Sequence, residues 1–246
     1  MKIELLNVCK SFKGQVVLDN LNLTVEPNKI TVIIGKSGGG KSVLLKHVIG
    51  LIRPDSGSVF IGDDEISALN DKKLNEIRKN FGMLFQEAAL FDSMTVGDNI
   101  AFPIREHTRF SKAEIDVIVK EKLRQVGLKR VTQKMPSELS GGMRKRVGLA
   151  RALALDPKII LFDEPTTGLD PIMCDAIDRL IVKTQRHTNA TCLVISHDID
   201  STFKIAHKVA MLYDGKIIEY GSPDKIKWSE NPVVKNFIEG KSISEH

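Results

Sequence analysis

Three short stretches of this 246-residue chain carry residue types at spacings that suit phosphate chemistry. The first is Gly35-Lys36-Ser37-Gly38-Gly39-Gly40-Lys41-Ser42, which fits GxxxxGK[ST]. Glycines carry no Cβ, so successive backbone N–H groups can turn toward phosphate oxygens. A helix opening near Lys41 adds about half a positive charge. Lys41 then reaches terminal phosphates and Ser42 a Mg²⁺ ion. The second stretch, Ile159-Ile160-Leu161-Phe162-Asp163-Glu164, is a hydrophobic strand ending in two acids. Ligands of open α/β sheets bind beyond the carboxyl ends of strands, so Asp163 can hold Mg²⁺ while Glu164 orients and deprotonates a water. The third, Leu139-Ser140-Gly141-Gly142-Met143, opens an Ala- and Arg-rich helix expected over Arg144 to Leu155. Ser140 is an N-cap type, and the two glycines expose N–H groups, a second anion-binding device. Taken singly, the second and third read as a solvated loop and a glycine-softened helix start. The basic triplet Arg144, Lys145 and Arg146 reads as a solvated helix face.

Such groups need a strand, a tight loop and a helix in succession, and the flanking sequence provides them. Strands are expected at Lys2 to Val8, Val16 to Val25 and Ile30 to Ile34, the last β-branched, buried on both faces and ending at Gly35. From Lys41 to Leu51 the spacing turns helical, with Val43, Leu44, His47, Val48 and Leu51 on one side. Gly57 to Phe60 and Phe81 to Phe85 are further strands, and helix dominates from about 87 to 155. Within that region Ser111 and Glu114 form a capping box ahead of a helical stripe of Ile115, Ile118, Val119 and Val126. Strands return at Ile159 to Phe162 and Thr191 to Ile195. The helix between them repeats Ile172, Ala176, Ile177, Leu180 and Ile181, giving the βαβ alternation of a parallel sheet. Asp214-Gly215 closes a hairpin, and a helix is expected around Val233 to Ile238 before a short polar end.

Composition sets the outer limits. With 42% hydrophobic and 27% charged residues the chain is neither disordered nor fibrous. Its apolar runs fall far short of the ~20 residues that cross a bilayer, and Glu4 interrupts any secretory signal, so a cytosolic location is expected. Cys9, Cys174 and Cys192 lack both disulfide and zinc spacing. A net charge of +5 permits an acidic partner, and nucleotide phosphates alone account for it.

In this order the motifs resemble the nucleotide-binding subunit of an ATP-binding cassette (ABC) transporter, over essentially the whole chain. The resemblance makes Gly35 to Ser42, with Val43 following, the Walker A loop; Asp163 and Glu164 the end of Walker B; and LSGGM at 139–143 the signature. Gln86 matches the Q-loop, Thr167-Gly168-Leu169-Asp170 the D-loop, His197 the switch histidine, and Phe12 the ring that stacks on adenine. It implies an α/β fold: a P-loop NTPase with a RecA-like core, an N-terminal antiparallel β-subdomain and an α-helical signature subdomain. The implied division is 1–86 and 156–222 for core plus β-subdomain, 87–155 for the helical part, one domain over 1–240, and a tail over 223–246. It further implies a head-to-tail homodimer with ATP between one copy's Lys41 and the other's Ser140, Gly141 and Gly142. Mg²⁺ would lie near Ser42, Gln86 and Asp163, with His197 fixing Glu164 and Asp170 at the seam. Met143 in place of the usual glutamine and TGLD in place of SALD are departures that remove no phosphate ligand.

Phe85 to Phe91, Asn99 to Thr108 and Met135-Pro136-Ser137-Glu138 are most similar to the ATPases of Mla/Mce-type lipid transporters. That subgroup implies a multi-pass permease, a Mce-type lipid-binding protein, a possible STAS-domain regulator and a place on the cytoplasmic face of the inner membrane. Leu90, Phe91, Phe102 and Pro103 are either ordinary packing or the groove for the permease's coupling helix. A cassette of an amino-acid or metal importer stays open as the alternative. Nucleic-acid-acting cassettes usually come paired or with long insertions, so no nucleic-acid partner is expected.

Overall fold

The computed structural model describes residues 1–241. The chain opens with β1 (Ile3–Phe12), β2 (Gln15–Val25) and β3 (Ile30–Ile34), then α1 (Lys41–Val48), β4 (Ser56–Ile61), β5 (Asp64–Glu65), α2 (Asp71–Arg78) and β6 (Phe81–Leu84). Three helices follow, α3 (Val96–His107), α4 (Lys112–Gln125) and α5 (Gly141–Ala152). The chain closes with β7 (Ile159–Asp163), α6 (Pro171–Thr188), β8 (Thr191–Ile195), α7 (Ile199–Ile205), β9 (Lys208–Tyr213), β10 (Lys216–Gly221), α8 (Pro223–Lys227) and α9 (Pro232–Ile238).

Two sheets result. One is antiparallel, in the order β2-β1-β4-β5; the other runs β10-β9-β3-β8-β7-β6, parallel except for the β9/β10 hairpin. Successive strand residues point to opposite faces, so a strand covered on both sides must be apolar throughout. In β3, Ile30, Val32 and Ile34 join a core shared with α3–α7, while Ile33 joins a second core shared with α1 and the antiparallel sheet. Strands β7 and β8 divide in the same way, Ile160, Phe162, Cys192 and Val194 against Ile159, Leu161, Leu193 and Ile195. The hairpin turn at Asp214-Gly215 has both residues at positive φ, as a two-residue turn between twisted strands requires. The capping box is present, with Ser111 N and Oγ both 2.7 Å from Glu114 Oε2.

Several expectations need correction. Helix α1 stops at Val48 because Gly50 turns the chain at φ 69°, which leaves Leu51 56% exposed rather than on the buried face. Ile172 is 82% exposed, since the buried face of α6 begins a turn later, at Ile177. The charged stretch after Asn70, for which no element was expected between the strands at Gly57 to Phe60 and Phe81 to Phe85, is α2, capped by the Asn70 side chain and anchored by buried Leu74. Helix α7 was also not anticipated, and α5 begins at Gly141, three residues before the expected Arg144. Helix α9 matches the expected tail helix, whereas the polar end over 242–246 lies outside the described residues.

Candidate active site

Four neighbouring parallel strands, β3, β8, β7 and β6, deliver their carboxyl ends to one edge of the sheet. Beyond them come Gly35, His197, Glu164 and Gln86 respectively, so residues distant in sequence converge because the sheet is parallel. Between them lies a cleft of about 410 Å³ lined by Ser37, Gly38, Gly40, Lys41, Ser42, Val43, Gln86, Glu164 and His197, with Gln15 and Val17 of β2 forming the far wall.

The glycine loop takes its shape from positions where a side chain is excluded. At Gly35 a Cβ would stand 2.3 Å from the Leu212 carbonyl oxygen, and Gly38 and Gly40 sit at φ 75° and 92°. Gly39 N–H donates to Lys36 O at 3.1 Å, closing the turn. Lys36 holds its ammonium 5.3 Å from the centre of the Tyr213 ring. The buried Lys41 amine donates to Gly35 O at 2.7 Å and Lys36 O at 2.8 Å, so it lies within the loop whose N–H groups it would assist. Burial lowers its pKa, and the charges of Glu164 and Asp163 work against that.

At the end of β7, burial and the adjacent Glu164 push the Asp163 carboxyl above the usual carboxylate range, opposed by Lys41. Glu164 itself has φ 49°, a left-handed conformation unusual for a side-chain-bearing residue, pinned by its N–H to Ile195 O at 3.0 Å. Strain held at such a position points to function. Its Oε2 meets His197 Nδ1 at 2.8 Å and accepts from Thr167 Oγ1 at 3.3 Å.

The remaining expected residues stand apart from this cleft. Phe12 is exposed at the end of β1, pairing in register with Gln15 of the cleft wall, and Lys10 lies over its ring at 5.5 Å. Ser140 caps α5 by accepting from Met143 N–H at 3.3 Å. Asp170 caps α6 in the same manner, from Met173 N–H at 3.0 Å. Neither they nor Gly141 and Gly142 line the cleft. Instead, a Cβ on Gly142 would lie 2.0 Å from Met173 Cε, and one on Gly141 would lie 3.5 Å from Leu169 Cδ2. The start of α5 is thus packed against the segment that carries Asp170.

The solvated-face reading of the basic triplet fails at Lys145. Arg144 is exposed and bonds Leu139 O, and Arg146 reaches Val126 O, but Lys145 is only 5% exposed and donates to Gln86 O and Glu164 O. Burial lowers its pKa against the pull of Glu87, Glu164 and Asp163. The signal was available: Lys145 shares the spacing of buried Gly142 and Leu149 on α5.

A glycine loop opening a helix after β3, with two acids at the end of β7 one strand removed in the same sheet, defines a nucleoside-triphosphate-hydrolysing cassette. The family model for "ABC transporter" matches residues 18–167, and the chain belongs to that family of ATP-hydrolysing transporter subunits. It is 44% identical to the "Probable ribonucleotide transport ATP-binding protein mkl" of Mycobacterium tuberculosis over 99% of this chain and 68% of the relative. It is also 44% identical to the "Intermembrane phospholipid transport system ATP-binding protein MlaF" of Haemophilus influenzae, over 98% of this chain and 91% of the relative. Among solved structures it resembles the dimeric, ADP- and phosphate-bound cassette MJ0796, with TM-score 0.82 and 32% identity over 90% of this chain and 98% of that one. The fold is that of an ABC cassette, as expected, and the chain binds ATP.

Proposed function

We propose that this chain powers phospholipid transport between bacterial membranes, working as a homodimer beneath an integral-membrane permease on the cytoplasmic face of the inner membrane. The near full-length match to MlaF carries the cargo assignment. The name of mkl supports a ribonucleotide as the rival cargo. A Mce-type lipid-binding protein and a small STAS-domain regulator complete the proposed assembly. Among the described residues no helix is long and apolar enough to cross a membrane, so the permease supplies the membrane path.

In this reading residues 87–155 act as a helical subdomain on a core formed by 1–86 and 156–222. Lys41 and the Gly35–Val43 backbone bind the triphosphate, with Phe12 against adenine. Glu164 accepts a proton from the attacking water, and His197 holds its carboxylate in place. The signature residues Ser140, Gly141 and Gly142 complete the site of the other copy, where donors aimed at the γ-phosphate stabilise the charge that develops there. Ser42, Asp163 and Gln86 offer hard oxygen donors suited to Mg²⁺, and a cation there would offset the burial and the Glu164 charge that raise the Asp163 pKa. Among the described residues no cluster of three or more His, Cys, Asp or Glu could hold a metal, so Ser42, Asp163 and Gln86 are the residues that would hold Mg²⁺ together with the nucleotide. When bound, the ion would neutralise phosphate charge.

The permease has a fitting surface. A groove of about 460 Å³ is lined by Phe85, Phe91, Phe102, Pro103 and Arg151 among others. The Phe91 and Phe102 rings lie 5.1 Å apart, with the Arg151 guanidinium 5.8 Å from Phe91. Buried Asn99 fixes this wall, donating to Phe91 O, Met94 O and Thr95 O and accepting from Phe91 N–H at 2.8 Å. Leu90, by contrast, packs onto the core. Purification from native membranes should therefore bring down a hydrophobic permease and phospholipid, and Phe91→Asp should release the permease while ATP binding persists. Ribonucleotide in place of lipid would reverse the cargo, and unchanged permease recovery by Phe91→Asp would remove the groove from the interface.

A further inference from the structure

Lys145 is rooted on α5, whose first residues are Gly141 and Gly142. A buried ammonium is costly unless acceptors surround it. Here they are main-chain carbonyls of two separate loops: Nζ donates to Gln86 O after β6 and lies 3.4 Å from Glu164 O after β7. The loop after β6 is strained, with Ala88 at φ 60° and Ala89 at φ 46°, conformations that side-chain-bearing residues rarely adopt. A second basic residue of α5 holds that strain in place: Arg151 donates to Ala88 O at 2.8 Å and to Ala89 O at 2.7 Å. Between these two grips the helix touches the loop directly, since a Cβ on Gly148 would stand 3.1 Å from Ala88 Cβ.

We infer that Lys145 is a positioning residue for ATP hydrolysis: from the signature helix it fixes the backbone at Gln86 and Glu164 together, so that a shift of either α5 or the Gln86 loop moves the Glu164 carboxylate. Arg151 clamps only the Gln86 loop, whereas Lys145 alone spans both. The inference rests on the proposed reading of Glu164 as the base. Because the hydrogen bonds of Lys145 go to Gln86 O and Glu164 O rather than to the glycine loop, removing it alters the chemical step rather than nucleotide affinity.

The test is steady-state ATPase kinetics of Lys145→Met, Lys145→Gln and Glu164→Gln in the full chain, beside fluorescent-nucleotide binding. Methionine keeps the bulk and loses the donor, and kcat should fall about tenfold to a hundredfold, the scale of a misplaced catalytic group, with KM and nucleotide Kd within about twofold. Glutamine is one atom shorter and can reach one carbonyl, so its kcat should lie between those of the wild type and the methionine variant. If the methionine variant does not fold, the glutamine variant decides alone: wild-type kcat overturns the inference, and a lowered kcat at unchanged KM sustains it. A raised KM without loss of kcat in either variant also overturns it. A fully active Glu164→Gln would instead sink the base assignment beneath the inference. An inactive Glu164→Gln beside a fully active Lys145→Met would sink the role of Lys145 alone.

Discussion

His197 Nδ1 and Glu164 Oε2 stand 2.8 Å apart, joining the loops that follow two hydrogen-bonded parallel strands, β8 and β7. The bond fixes one oxygen of the carboxylate, and the left-handed backbone at Glu164 fixes where that carboxylate can go. Glu164→Gln should retain ATP binding and lose about 10²- to 10⁴-fold in kcat, as removal of a general base does. His197→Ala should lower kcat about 10²-fold by leaving the carboxylate unoriented. Fluorescent-nucleotide titration and phosphate release on the same preparations measure both.

Two glycines should respond in opposite ways to alanine. At Gly82 a Cβ would stand 2.3 Å from Ala152 O and 3.0 Å from Pro157 Cγ, where α5 crosses β6. That obstacle is main chain, so Gly82→Ala should cost about 1–3 kcal/mol of stability in urea unfolding. At Gly142 the obstacle is the terminal methyl of Met173, which can swing aside. Gly142→Ala should change stability by no more than about 0.5 kcal/mol and instead impair ATP turnover.

Much of this was local and therefore legible. A glycine loop between a β-branched strand and a helix, the Ser111 capping box and the β8 limits at Thr191 and Ile195 follow from neighbouring residues alone. The convergence of Gln86, Glu164 and His197 on Lys41 needed strand order as well, and the family resemblance supplied it. Lys145 was missed because a run of three basic residues looks solvated, although successive helical residues turn about 100° and point in different directions, Lys145 onto the buried face with Gly142 and Leu149. Helix α2 was missed because it buries only Leu74 and so has no apolar stripe to read.

Stability should depend on pH in the range set by two histidines. Burial lowers the pKa of His47, with Lys10 reinforcing and Val43 O and Asp55 opposing it. Burial also lowers that of His207, aided by Lys29 and Arg186. Below the ordinary value of 6.5 the unfolded chain binds more protons than the folded one, so their contribution is complete above about pH 7.5 and is lost as pH falls through 6.5. Thermal melts should drop between pH 7.5 and 5.5. His47→Gln should flatten that slope, by at most the ~1.4 kcal/mol per pH unit of one proton. An unchanged slope would show that His47 takes up its proton equally readily in the folded and the unfolded chain, against the burial that should lower its pKa.

The signature residues line no part of their own copy's cleft, so in the proposed function a second copy must complete the ATP site. Light scattering of Glu164→Gln with and without ATP tests it directly. ATP should double the mass, with one nucleotide retained per chain. Lys41→Ala in that background should prevent the doubling by weakening ATP binding, and Ser140→Arg should prevent it without weakening binding. A Glu164→Gln chain saturated with ATP that keeps the mass of a single copy, alone and when extracted with its permease, would contradict it.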